Sequence, residues 1–170
     1  MERWRPVVGY EGLYEVSDEG RVRSLDRLLP SERWGGLRKL SGAILKPSDN
    51  GQTGHQFVRL WRDKKPCRRY VHHLVLEAFV GPRPEGLEAL HQDDTPTNNR
   101  LSNLRWGTRS ENLRDSVRNG RNHNASKTHC SRGGHPLAGD NLFEHSDGRR
   151  ECRTCRRESR RRNEQRKKAS

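Results

Sequence analysis

The stretch that decides the fold is "ALHQDDTPTNNRLSNLRWGTRSEN", residues 89–112. One histidine, His91, closes a short apolar run, and Asp93, Asp94, Asn98, Asn99, Asn103 and Asn112 follow it. Asparagine forms helix and strand poorly, because its amide competes for nearby backbone groups. So many amides behind one histidine point to a loop held by side-chain hydrogen bonds, or to a site that needs oxygen donors. The flanks supply a topology. "LEALHQ" is a strand candidate, "DDTPTNN" a loop, and "RLSNLRWGT" a turn and short strand anchored by Leu101, Leu104 and Trp106. "SENLRDSVRNG" reads as a helix, with Ser110 as N-cap, Glu111 in the first turn and Gly120 as the stop. Strand, loop, strand and helix therefore surround the histidine.

Upstream, "HQFVRLWRD" alternates apolar and polar like a half-buried strand, "KKP" turns, and "CRRYVHH" returns. "HHLVLEAFVG" is a short helix with Leu74, Val75, Ala78 and Phe79 at helical spacing, ended by "GPRPEG". Near the N-terminus, "SDEG" between "YEV" and "RVRSL" reads as a hairpin turn, whereas residues 28–51 look irregular and Gly-rich. Downstream come a polar linker (121–128), a Cys/His cluster (129–155) and the basic run "RRESRRRNEQRKKAS". That run is expected to be a helix on DNA and a disordered arm off it.

Only 28% of the 170 residues are hydrophobic and the mean hydropathy is −1.22. A single large core is therefore not expected; several small modules with thin cores or a metal staple fit better. The formal charge of +13, carried mostly by arginine, points first to nucleic acid and second to an anionic membrane surface. No apolar run is long enough to span a bilayer, and "MERWRPVVGYEG" has no secretory character, so a cytoplasmic protein is expected. In a reducing compartment, Cys130, Cys152 and Cys155 suggest metal rather than disulfides, with Cys67 standing apart.

Phosphodiester hydrolysis needs a base to take a proton from water, and positive charge for the phosphate and the departing oxygen. His91 suits the first task, Asn112 on a neighbouring helix can ligate a divalent ion, and Asn103 can brace the loop. The stretch "VHHLVLEAFVGPRPEG…ALHQDDTPTNNRLSNLRWGTRSENLRD" resembles the HNH endonucleases of phage and homing type, over residues 55–118. The resemblance implies a ββα-metal finger with His91 as general base, Asn103 as the structural asparagine and Asn112 as metal ligand; Asn99 and Arg100 would shape the loop, and Leu104 and Trp106 would be core. One position departs from the family. Leu90 stands where a metal-binding aspartate is common, which leaves Asp93 or Asp94 to supply an oxygen.

Trp4 to Ser24, with "GYEGLYEVSDEGRVRS", resembles the small DNA-binding module that often precedes HNH domains. Arg21 and Arg23 project from one of its strands towards phosphate. At the other end, Cys130-x₄-His135 and Cys152-x-x-Cys155 can make a tetrahedral zinc site, with His129 and His145 as alternative ligands and a redox pair at Cys152 and Cys155 as the rival reading. "RGGHPLAGDN" with "RRECRTC" is similar to a zinc-binding tail of actinobacterial and actinophage HNH proteins, apart from an extra glycine at Gly133–Gly134.

The expected fold class is α+β: a ββα-metal HNH finger (52–120) with a β-rich N-terminal module (1–47), a zinc-stapled segment (126–158) and a basic tail (159–170). The expected function is metal-dependent cleavage of double-stranded DNA, with Mg²⁺ or Mn²⁺ in the active site and Zn²⁺ in the C-terminal module. Arg21, Arg23, Arg100, Arg105, Arg109, Arg149, Arg150, Arg153, Arg156 and Arg157 are the candidate DNA contacts, and a monomer is the working oligomeric state. The alternatives are a nicking partner of phage DNA packaging and a catalytically degenerate DNA-binding protein.

Overall fold

The computed structural model describes residues 1–30, 35–49, 51–146 and 148–168. The chain divides into two compact units, Met1–Arg109 and Ser110–Ser170.

In the first unit, β1 (Trp4–Pro6), β2 (Tyr14–Ser17) and β3 (Val22–Ser24) form an antiparallel sheet, with the expected hairpin between β2 and β3. Residues 28–51 are less irregular than expected. β4 (Arg27–Pro30) pairs with β5 (Leu37–Leu40), and β6 (Ser48–Asp49) adds to the edge of β7 (Gln56–Arg62) and β8 (Lys65–Tyr70). The β4–β5 ribbon buries little, leaving Leu28 and Leu37 exposed, so it has no clean apolar alternation to betray it. β7 and β8 are joined by Asp63 and Lys64, both left-handed at φ 51° and 61°. Two such residues match the right-handed twist of a hairpin.

α1 (Val71–Phe79) follows, and then β9 (Glu88–His91) pairs antiparallel with β10 (Leu104–Gly107), putting Leu104 opposite His91. Val7, Tyr14, Val16 and Val22 of the N-terminal strands share one core with Val58, Leu60, Val71, Leu74, Val75, Leu76 and Leu104. Residue 47, taken from the sequence as a module border, is therefore not a border in packing. Across that core the Trp61 N–H donates to the Tyr14 hydroxyl at 3.1 Å.

α2 (Arg109–Arg118), which belongs to the second unit from Ser110 on, starts two residues earlier than a Ser110 N-cap implies, so Ser110 lies inside its first turn. The polar linker holds one helical turn, α3 (His123–Ser126), whose N-terminus is capped by the Asn122 side chain at 3.0 Å from the Asn124 and Ala125 N–H groups. β11 (Leu142–Glu144) pairs with β12 (Arg150–Cys152). α4 (Arg153–Lys168) then carries the basic run as continuous helix. The core here is small: Leu137, Cys152 and Cys155, with Cys130 and Leu142 against them. Among the described residues, no helix is long and apolar enough to cross a membrane.

Leu60 is fully buried and Leu28 is 61% exposed. Leu60→Ala is expected to cost about 2–5 kcal/mol, and Leu28→Ala within about 0.5 kcal/mol. Urea unfolding followed by circular dichroism checks both.

Candidate active site and metal centre

His91 ends β9 and is buried, and the loop behind it is pinned by side chains rather than by a ladder. Asn103 does most of this. Its Oδ1 accepts from the Asp93 N–H at 3.1 Å, and its Nδ2 donates to Asp93 Oδ1 and to the Asn98 carbonyl, each at 2.9 Å. The Asp93 carboxylate also accepts from the Thr95 N–H (2.8 Å) and from Asn98 Nδ2 (2.7 Å). Burial alone would push the Asp93 carboxyl up, but the bonds from Asn98, Thr95 and Asn103 outweigh it and hold it at about 2. Both Asp93 oxygens are thus engaged inside the loop. Asp94 turns the chain at φ 52°, a left-handed position that aspartate tolerates better than most residues. Leu90 is buried, 2% exposed, and offers no donor.

Around His91 lie groups whose part the sequence did not signal. Its Nε2 is 3.2 Å from Asn99 Oδ1, and Asn99 Nδ2 donates to Gln56 Oε1 at 2.8 Å. The rings of His55 and His72 are centred 5.5 and 5.1 Å from that of His91. Burial pulls the His91 imidazole below its usual value, against a smaller upward pull from the Asn99 bond. His72, deeper still, is brought down to about 2 by burial and by its histidine neighbours. A neutral imidazole is the form that can take a proton. Asn112 lies in the first half of α2, in the second unit.

The Cys/His cluster closes into one site. The Sγ atoms of Cys130, Cys152 and Cys155 and a ring nitrogen of His135 all lie within 4.8 Å of one another. His135 Nδ1 is 3.6, 3.7 and 3.4 Å from the three sulfurs in chain order, and Cys130 and Cys155 are 3.5 Å apart. Tetrahedral zinc with Zn–S of about 2.3 Å and Zn–N of about 2.0 Å sets edges of about 3.5–3.8 Å. The Gly133 N–H draws the Cys130 thiol down to about 6, while burial beside the other sulfurs pushes Cys155 up to about 12. Three sulfurs and an imidazole nitrogen at these distances could hold a metal ion. His129 and His145 stay outside the cluster, His129 against Thr128 (3.1 Å) and His145 against Glu151 (3.2 Å). The extra glycine is used: a Cβ on Gly133 would stand 2.5 Å from the His135 ring.

Two segments of the chain are similar to known protein families. Residues 2–61 match the NUMOD4 motif family and residues 69–114 match the HNH endonuclease family. The N-terminal segment is thus similar to a NUMOD4 motif and the segment around His91 to an HNH endonuclease domain. It is 32% identical over 120 residues to the DNA endonuclease I-HmuI of Bacillus phage SP01, an overlap of 69% of this chain and 59% of that protein. It is also similar to a solved structure concerned with DNA binding and cleavage by the HNH homing endonuclease I-HmuI, with a TM-score of 0.55 and 30% identity over 70% of this chain and 60% of the other. The chain thus spans about three-fifths of the length of the relative it matches.

The candidate DNA-contacting arginines fall into distinct settings. In the NUMOD4 motif, Arg21 pairs with Glu2, and Arg23 pairs with Glu15 and lies 4.1 Å over the Trp4 ring. In the HNH domain, Arg100 pairs with Glu19 at 3.0 Å, Arg105 is half-buried in β10 and Arg109 is exposed. In the second unit, Arg156 reaches Glu151, and Arg149, Arg153 and Arg157 are exposed. Arg150 is turned inward, donating to the carbonyls of Asn124, Ala125, Lys127 and Leu137. A signal for this was available. Arg150 and Cys152 are two apart on β12, so they share a face, and Cys152 must face the metal site. Gln56 had no such signal, since 43 residues separate it from Asn99.

Asp93→Asn puts an amide group where three donors converge, and is expected to destabilise the first unit by about 1–3 kcal/mol at pH 7. The folded carboxyl sits at about 2, below its ordinary 3.8, so its contribution is present above about pH 4 and fades as pH falls towards 2. Urea midpoints of wild type and variant should therefore converge as pH falls from about 4 to about 2.

Proposed function

We propose that this chain is a metal-dependent HNH endonuclease that hydrolyses phosphodiester bonds of double-stranded DNA, of phage homing type. The observation that carries the reading is His91: buried, neutral, and held at the end of β9 by a loop that Asp93 and Asn103 lock. The relative's name as a DNA endonuclease supports the same activity here.

In this reading His91 takes the proton from the attacking water. Asn103 and Asp93 keep the histidine in place. Asp93 is assigned to the loop rather than to metal, because both of its oxygens are already engaged. Asn112, by its place in the motif, and Asp94, by its place in the loop, are candidate oxygen donors for a hard cation, which favours Mg²⁺ or Mn²⁺. The bound cation would offset charge on the scissile phosphate and on the departing 3′ oxygen. Arg105, Arg109, Arg149, Arg153 and Arg157 would contact phosphates, as would Arg21, Arg23, Arg100 and Arg156 once their glutamate partners release them. Arg150 instead clamps the fold of the metal centre. Cys130, His135, Cys152 and Cys155 would hold a structural zinc with no open position.

A second reading, a DNA-binding protein with a degenerate HNH domain, is favoured by one observation: Leu90, apolar and buried, at the family's acid position. A plasmid assay separates the two. Wild type should nick or linearise supercoiled DNA with Mg²⁺ or Mn²⁺ and not with EDTA, and His91→Ala should lose at least about 100-fold in rate while keeping its DNA affinity. Because burial lowers the His91 pKa, the acid limb of the rate should lie below about pH 6.5. Absence of cleavage by wild type with retained binding favours the second reading.

For the zinc, Gly133→Ala drives a methyl group into the His135 ring. Zinc affinity should fall about 10-fold or more, measured by competition with a chromogenic chelator. Gly134→Ala meets nothing within 4 Å but sits at φ 63°, so it serves as the control for backbone strain.

A further inference from the structure

The turn between β2 and β3 lies against the loop that carries Asn99. Three consecutive residues of one face three of the other in antiparallel order. The Asp18 carbonyl accepts from the Leu101 N–H at 2.8 Å, Glu19 pairs with Arg100 at 3.0 Å, and Gly20 meets Asn99. The last contact is so close that a Cβ on Gly20 would sit 2.8 Å from both Cβ and the carbonyl oxygen of Asn99. The turn is itself well held. Ser17 is fully buried and its hydroxyl accepts from the Arg21 N–H at 3.0 Å, while the Ser17 N–H donates to the Arg21 carbonyl at 2.8 Å.

Asn99 connects this turn to the histidine. Its amide orientation follows from the Thr97 carbonyl 3.4 Å away, which can only accept, so the NH₂ end faces Thr97 and Gln56. The oxygen end then faces His91 Nε2 at 3.2 Å. An amide oxygen can only accept, so Nε2 carries the proton and Nδ1 keeps its lone pair.

We propose that the Asp18–Gly20 turn of the NUMOD4 motif is a positioning clamp for the active site: it presses Asn99 into place, and Asn99, anchored by Gln56, holds His91 as the Nε2–H tautomer with Nδ1 free to take a proton from water. The N-terminal motif then serves the chemistry as well as any contact with DNA. The claim about rate rests on the nuclease reading; the claim about the tautomer does not.

The test uses the full chain loaded with zinc. Long-range ¹H–¹⁵N correlation of the histidine rings reads the tautomer, and single-turnover plasmid cleavage with Mn²⁺ and DNA affinity are measured alongside. Wild-type His91 is expected as Nε2–H. Asn99→Asp, which still accepts, keeps that tautomer, whereas Asn99→Ala gives a mixture. Gly20→Ala also gives a mixture and cuts at least about 10-fold more slowly, with DNA affinity within a factor of about two. Gly12→Ala shares the left-handed backbone, at φ 73°, but meets nothing within 4 Å, so it should match wild type. If Gly20→Ala does not fold, Gln56→Leu removes the anchor from the other side and should give the same mixture.

An Nδ1–H His91 in wild type overturns the proposal. So does an unchanged tautomer and rate in the folded clamp variants, or a fall in DNA affinity that accounts for the whole loss of rate. A wild type that shows the Nε2–H tautomer, a mixture in Asn99→Ala, and no cleavage sinks the nuclease reading while the clamp stands.

Discussion

Reciprocal hydrogen bonds between Asp93 and Asn103 are the constraint on which the active-site half depends. Between β9 and β10 the chain runs with a single short helical turn and no ladder, so its polar groups need other partners. Asn103 supplies an acceptor and two donations, Asp93 takes what the neighbouring amides offer, and the loop closes on itself. Without that closure His91 would still end a strand, and Gln92 would still reach the Asn103 carbonyl, but the backbone from Asp93 to Asn98 would lose its side-chain anchors. Leu90 and Leu104, both buried, hold the strands of the same hairpin to the core. An acid at position 90 would carry a desolvation cost that leucine avoids. The hairpin therefore gains apolar burial at position 90, where the HNH resemblance leads one to expect an acid.

The two units solve the shortage of apolar residues differently. The first joins the NUMOD4 strands to the HNH strands and α1 around one core, so that neither part has to fill its own. That sharing is also what brings the β2–β3 turn to the loop bearing Asn99. Among the described residues of the second unit, the core cluster is limited to Leu137, Leu142 and the cysteines. There a metal would supply folding free energy of the order of 10–16 kcal/mol, as in zinc-finger peptides. Asn141 reinforces it, since its Nδ2 reaches Cys152 Sγ at 3.4 Å and its Oδ1 accepts from the Thr154 N–H at 3.0 Å. The ligand set and the start of α4 are thereby one piece of structure.

Much of this was legible in the sequence, and the exceptions have common causes. His91, Asn103 and the four-residue Cys/His set stand at spacings that local chemistry constrains, so they could be read off. The β2–β3 hairpin and α1 follow from turn residues and helical period. What could not be read depends on contacts between distant segments. Gln56 reaches Asn99, and Gly20 touches the same residue from a third segment; neither has a local signature. The β4–β5 ribbon escaped because its leucines face solvent, and the helical course of the basic run because charge density alone argues for disorder.

The net charge of +13 says less about which cations are available to an anionic partner than the settings of the individual arginines do. Arg21, Arg23 and Arg100 are each balanced by a glutamate, in pairs exposed enough to contribute at most about 1 kcal/mol. Such pairs can open when a phosphate offers a better bidentate partner. Arg150 cannot be released on those terms, because its carbonyl partners belong to the backbone that surrounds the metal centre. Arg157, Arg160 and Arg161 on α4 are exposed, and this helix is continuous with Cys152 and Cys155. A metal ion held by those cysteines would therefore also anchor the helix that carries the densest positive charge.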